Sequence, residues 1–219
     1  MRERVFPLLI AIAAIGFTAA PFLIDAAPYE STMGLVQKIF YFHVPVALTM
    51  FVSAFVTGIA SARYLFTRRP ASDRLAAAAA ELTVLFGVMV LVTGPLWARK
   101  AWGVWWVWDA RLTMSLLMWM VFVSYLLLRR YGGPGSETLA AGLALFGMAT
   151  SPFVYLSVNI WRTIHPLTSV VPTLPVDFAF ALWYAFTGFL LLYIALLFLR
   201  VGIEQQRTML DQLYLESEE

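Results

Sequence analysis

Apolar residues in this chain neither alternate with polar ones nor recur in single helical stripes. They come in long unbroken runs separated by short charged stretches. Six runs stand out, at 5–24, 39–62, 75–98, 112–128, 138–158 and 178–199. A hydrocarbon core about 30 Å thick needs roughly 20 apolar residues of helix to cross it. Backbone groups in lipid must be satisfied within their own segment, and continuous greasiness is the signature of helices rather than of barrel strands. The expected fold is an all-α integral membrane protein: a six-transmembrane-helix bundle making one domain over 1–219. The stretch 200–219 mixes apolar and acidic residues and is expected to continue as a helical tail. Pro45, Pro95 and Pro152 fall inside spans, where proline kinks are tolerated. Glu81 interrupts the third run near one end, two turns from Arg74, and is read as structural or snorkelling.

Charge sets the direction of the bundle. With six spans, one side receives Arg2, Arg4, Arg63, Arg68, Arg69, Arg74, Arg129, Arg130, Arg200 and Arg207, ten in all. The other side receives Lys38, Arg99, Lys100, Arg111 and Arg162, five in all. Positive charge accumulates in the cytoplasm, so both termini and the tail are expected there. The first run follows a basic start and has small residues near its end. Pro21 and the length of the run favour a retained span over a cleaved signal peptide.

Composition agrees with this pattern: 61% of residues are apolar and 13% charged, against about 25% charged in soluble domains. A net charge of +2 gives no support to a nucleic-acid partner. The absence of cysteine excludes disulfides, iron–sulfur clusters and thioether-linked haem. No G-x-x-x-x-G-K-[ST] loop is present, so any ATP-driven step must come from another subunit.

The segments expected on the second side, about 25–38, 97–111 and 159–177, hold nearly all the groups capable of chemistry. Both histidines fall there: His43 at the start of the second span and His165 in the last loop. A zinc site would need two more ligands. A proton relay would need only the imidazoles. Haem would need only two axial ligands, because the macrocycle brings four nitrogens of its own. Five of the eight tryptophans fall within the twelve residues Trp97 to Trp108. One or two at a span end make an ordinary aromatic belt; five in one connection suit a large flat ligand. A helical reading puts Trp102, Trp106, Asp109 and Thr113 on one face and Trp105 and Trp108 on another. Arg99, Lys100 and Arg111 alongside suit ligand carboxylates or a solvated loop.

The run Trp102-Gly-Val-Trp-Trp-Val-Trp-Asp-Ala-Arg-Leu-Thr113, with the contexts Phe42-His43-Val-Pro45 and Trp161-Arg-Thr-Ile-His165, resembles the haem exporter protein C (CcmC) family of cytochrome c maturation. The likeness extends over nearly the whole chain. It implies a haem-handling protein of the bacterial inner membrane rather than an enzyme. His43 and His165 become axial ligands of a non-covalent, transient haem b. Trp102, Trp105, Trp106, Trp108 and Asp109 become a periplasmic, interfacial surface that holds haem and meets a haem chaperone (CcmE-like). The resemblance also implies an ATPase and a membrane subunit of an ABC export complex, and a small CcmD-like membrane protein. Two rivals come from other classes: a b-type haem and quinone redox subunit, and a small-molecule transporter subunit. The first usually places its histidines within the bilayer. The second lacks the polar span linings and broken helices it would need here.

Overall fold

The computed structural model describes residues 2–218; Met1 and Glu219, the two ends of the expected single domain, lie outside them. The six expected spans are six helices: α1 (Arg2–Ala26), α2 (Phe40–Thr67), α3 (Pro70–Ala101), α4 (Ala110–Tyr131), α5 (Ser136–Ile160) and α6 (Val176–Glu218). All six are long and apolar enough to cross a membrane. Pro45, Pro95 and Pro152 each sit within one of these unbroken helices. At about 1.5 Å per residue, α6 is roughly 65 Å long, about twice a hydrocarbon core. The 200–219 tail is thus the uninterrupted continuation of the last span as far as Glu218.

The connections are punctuated as their residues dictate. Arg68 caps α2 in a left-handed conformation, and Pro70 opens α3 at the position where a missing N–H costs nothing. A glycine-rich turn, 132–135, separates α4 from α5. A short 3-10 turn, Leu35–Ile39, leads into α2. There the Lys38 ammonium donates to the carbonyls of Ile24 (2.6 Å) and Ala27 at the end of α1. A cation on orphan helix-end carbonyls is favourable.

The helices α2 and α3 form the centre. Their contact is lined by Ser53, Ala54, Thr57 and the run from Ala76 to Ala80, all buried. Small side chains let backbones approach closely in a membrane, where hydrophobicity alone does not drive helices together. Ser53 donates to the Ala79 carbonyl (2.8 Å) and accepts from Thr83 (2.9 Å) across the contact. Larger residues, including Met50, Phe86, Met118, Phe122 and Phe189, fill the space where α4, α5 and α6 close on this pair. Arg129 at the end of α4 grips Asp73 at the start of α3 with two bonds, at 2.5 and 2.8 Å. Glu81 is paired as well: Arg200 of α6 holds it bidentately and bonds Glu204 one turn on. The acid that interrupts the third run therefore has a structural partner 119 residues away rather than Arg74.

Candidate functional site

At the other end of the bundle the helices leave a cavity of about 620 Å³. Small-molecule sites commonly measure about 300–1,000 Å³. His43, Trp97, Trp102, Trp106, Arg111 and His165 are all on its wall.

His43 comes from the first turn of α2 and is 7% exposed. Its Nδ1 lies 2.7 Å from the Thr93 hydroxyl of α3. That hydroxyl spends its single proton on the Met89 carbonyl at 2.7 Å. Thr93 can therefore only accept from His43, which fixes the proton on Nδ1 and leaves Nε2 with its lone pair. Gly94 makes room for the ring: a Cβ there would lie 3.3 Å from Cε1 of His43. Trp97 packs edge-on against the imidazole with ring centroids 5.8 Å apart.

His165 belongs to the irregular segment between α5 and α6. Its Nδ1 donates to the carbonyl of Pro166 at 2.9 Å, so here too Nε2 is the free base. Pro166, the odd residue after the second histidine, thus supplies the acceptor that sets the tautomer. Burial, and next the neighbouring Arg111, push the His165 pKa down to about 4, outweighing Pro166 and Asp109. The imidazole is neutral at physiological pH.

From Trp102 onward the tryptophan-rich stretch is not a helix. Trp102 closes α3, and Gly103 turns the chain with φ +78, a conformation that side chains disfavour. Residues 104–109 run without regular structure until Asp109 caps α4 by accepting from the Leu112 N–H at 2.9 Å. Alternating Val and Trp have modest helix propensity, and Gly103 and the Asp109 cap separate the two helices. Trp102 and Trp106, expected on one face, do share the cavity wall, but they reach it through a turn. Trp105 and Trp108 are 57% and 75% exposed.

Asp109 turns away from that wall. Besides capping α4, its Oδ2 accepts from the Thr163 hydroxyl and from the Ile164 N–H (3.2 Å). Thr163 in turn accepts from the His165 N–H at 3.1 Å. The carboxylate thus fastens the His165 loop to the start of α4. The cations also separate. Arg111 lines the cavity and sends Nη1 to the carbonyls of Val154 (2.5 Å) and Tyr155 (3.1 Å). Arg99 and Lys100 sit exposed in the last turn of α3, outside the lining, with Arg99 bonded to the Gly103 carbonyl. Among the described residues, no three His, Cys, Asp or Glu side chains stand together as a site for a bare metal ion.

Sequence reasoning missed several residues here. Trp97 is 5% exposed, and its indole N–H is buried without a partner; the same holds for Nε1 of Trp106 and Oε1 of Gln37, all on the cavity wall. Buried polar atoms are normally paired, so three orphans around one cavity mark it as a place for a ligand with polar edges. Trp97 lay in the tryptophan-rich stretch and could have been found there. Gln37, Thr93 and Gly94 carry no sequence signal.

Six membrane-length helices, with an aromatic, ligand-sized cavity opening at one end, define a multi-pass helical membrane protein with a small-molecule site. Comparison with known proteins makes this specific. The chain belongs to the Heme exporter protein C (CcmC) family, whose model matches residues 1–214. Heme exporter protein C of Bradyrhizobium diazoefficiens is 37% identical over 174 residues, which are 78% of this chain and 66% of that protein, just under two thirds of its length. The protein of that name from Escherichia coli K12 is 31% identical over 210 residues, covering 87% and 81% of the two chains. That from Paracoccus denitrificans is 30% identical over 193 residues, covering 85% and 80%.

Proposed function

We propose that this protein holds haem as cargo in the cavity between α2, α3 and the two irregular segments, and hands it on for cytochrome c maturation. The observation that carries the reading is that His43 and His165, far apart in the chain, line one aromatic cavity. In each imidazole Nδ1 is engaged, with Thr93 or with Pro166, which leaves Nε2 for an axial bond. The macrocycle supplies the remaining four iron ligands, which suits a cavity without a cluster of protein donors. Trp97, Trp102 and Trp106 offer ring faces and edges to the porphyrin. The indole N–H groups of Trp97 and Trp106, with the Nε and Nη2 donors of Arg111, suit the two propionates. Arg99 and Lys100 would act only on propionates that emerge from the mouth.

Non-covalent holding fits handover, because ligand exchange needs no bond-making enzyme. The exposed Trp105 and Trp108 form the surface on which a CcmE-like chaperone would dock. Membership of a family of exporters supports assembly in a haem-export complex, with an ATPase, a membrane subunit and a CcmD-like protein as the proposed partners. The ten-to-five bias of basic residues supports cytoplasmic termini and a cavity on the periplasmic face of a bacterial inner membrane. The test is an absorption spectrum of purified protein. Wild type is expected to carry a haem Soret band that the double variant His43→Ala/His165→Ala loses. Equal haem in the two proteins would remove the reading.

A further inference from the structure

The two imidazoles are held in unequal ways. His43 rises from a membrane helix, is nearly inaccessible, and is locked by a two-bond relay through Thr93 to the Met89 carbonyl inside α3. The ring is confined on one side by the backbone at Gly94 and on another by the buried Trp97. The ring is thus held between α2 and α3, the most closely apposed helices of the bundle. His165 sits on a loop. Its ring makes a single hydrogen bond, to the carbonyl of the next residue, and its backbone is held by Thr163 and, through it, Asp109. Asn159 and Thr168 pin the same loop by a side-chain bond of 2.6 Å. These ties join the loop to the last turn of α5, at Asn159, and to the cap of α4, at Asp109, and none of them joins one helix to another. Asp109 also ends the exposed tryptophan stretch, so the loop that carries His165 is fastened to the very segment that carries Trp105 and Trp108.

We infer that His43, oriented by Thr93, is the permanent axial ligand of the cargo iron, and that His165 is the ligand that leaves at handover. The inference rests on the haem reading above and adds the order of exchange. In the step, the coordinate bond from His165 Nε2 to iron breaks and the imidazole keeps its lone pair. An incoming donor brings its own lone pair to the vacated position. No electron is transferred, and the iron keeps its oxidation state. Thr93 is a positioning residue, acting through His43. Outer partners of metal-binding histidines change affinity by about 10–100-fold when removed.

The experiment uses the full chain in detergent micelles, with haem per protein measured after gel filtration and the coordination state read from the absorption spectrum. His165→Ala is expected to retain most of its haem in an altered coordination state, and added imidazole, the probe for the incoming donor, restores the wild-type spectrum. His43→Ala is expected to lose its haem on the column. His43→Leu, closer in shape to a packed side chain, takes its place if the alanine variant fails to elute as folded protein. Thr93→Val, which keeps the shape and removes the hydroxyl, should speed haem loss to a soluble scavenger on the order of tenfold, and Thr93→Ser should restore the slow rate. The inference is overturned if His43→Ala keeps haem as well as His165→Ala, or if Thr93→Val releases it at the wild-type rate. Those outcomes leave the haem reading standing, since that reading falls only when the double variant keeps its haem.

Discussion

The two ends of the bundle solve opposite problems. At the Arg129 end, alanine, serine and glycine let helices close on one another, and charges meet in the Asp73–Arg129 and Glu81–Arg200 pairs. At the histidine end the same helices stand apart around a cavity, bulky indoles replace alanines, and Trp97, Trp106 and Gln37 keep unpaired polar atoms. Close packing and ion pairs stabilise the first end, although Ser61 Oγ and Arg74 Nε are buried there without partners. The second gives up close packing and gathers its unpaired polar atoms around one cavity, which is what a site must do if its occupant is to enter and leave. An orphaned buried polar group costs about 1–3 kcal/mol, so a ligand with polar edges would stabilise this end by pairing these atoms.

The largest test of this contrast is Phe122→Ala. Phe122 is fully buried between α3, α4 and α5, and its ring fills the space beside Gly147. The change is expected to cost about 3–5 kcal/mol, seen as a lower unfolding midpoint in micelles with the cavity end unaltered. A cost below 1 kcal/mol would break the claim that this end depends on packing. Next comes Gln37→Met, which keeps the volume and removes the unpartnered amide oxygen. The haem-free protein is expected to gain about 1 kcal/mol, in contrast to the usual loss on altering a buried residue. A loss of stability would mean that this amide is satisfied after all. The smallest effect belongs to Trp108→Ala, three-quarters exposed. Unfolding should shift by no more than about 0.5 kcal/mol and haem content should hold, while haem transfer to a chaperone falls. Unchanged transfer would remove Trp108 from the docking surface.

How far the site could be read from sequence varied residue by residue. The spans were plain because each is decided by its own hydrophobicity, whatever its neighbours. Trp102 and Trp106 were grouped correctly for an incorrect reason: helical spacing placed them on one face, whereas a glycine turn brings them to one wall. The signals for the turn were present in Gly103 and in Asp109 just before an apolar run, where an acidic residue reads as a helix cap. The family likeness puts Asp109 on a haem surface, and the structure adds that its bonds join the His165 loop to α4. Arg111 could not be told from Arg99 and Lys100 by charge or by distance along the chain. The difference lies in which carbonyls and cavity walls stand nearby, and those belong to α5.

The amino-acid order alone determined six membrane helices and the family signature, and it set apart the tryptophan stretch and the only two histidines. Those properties are local, since transfer of a 20-residue apolar segment into lipid depends on that segment. Tertiary structure decided the partner of Glu81, the Nδ1 protons of the two imidazoles and the unequal footing of His43 and His165. Each of these depends on atoms that another helix or loop brings within about 3 Å, and no local pattern in the chain encodes which atoms those are.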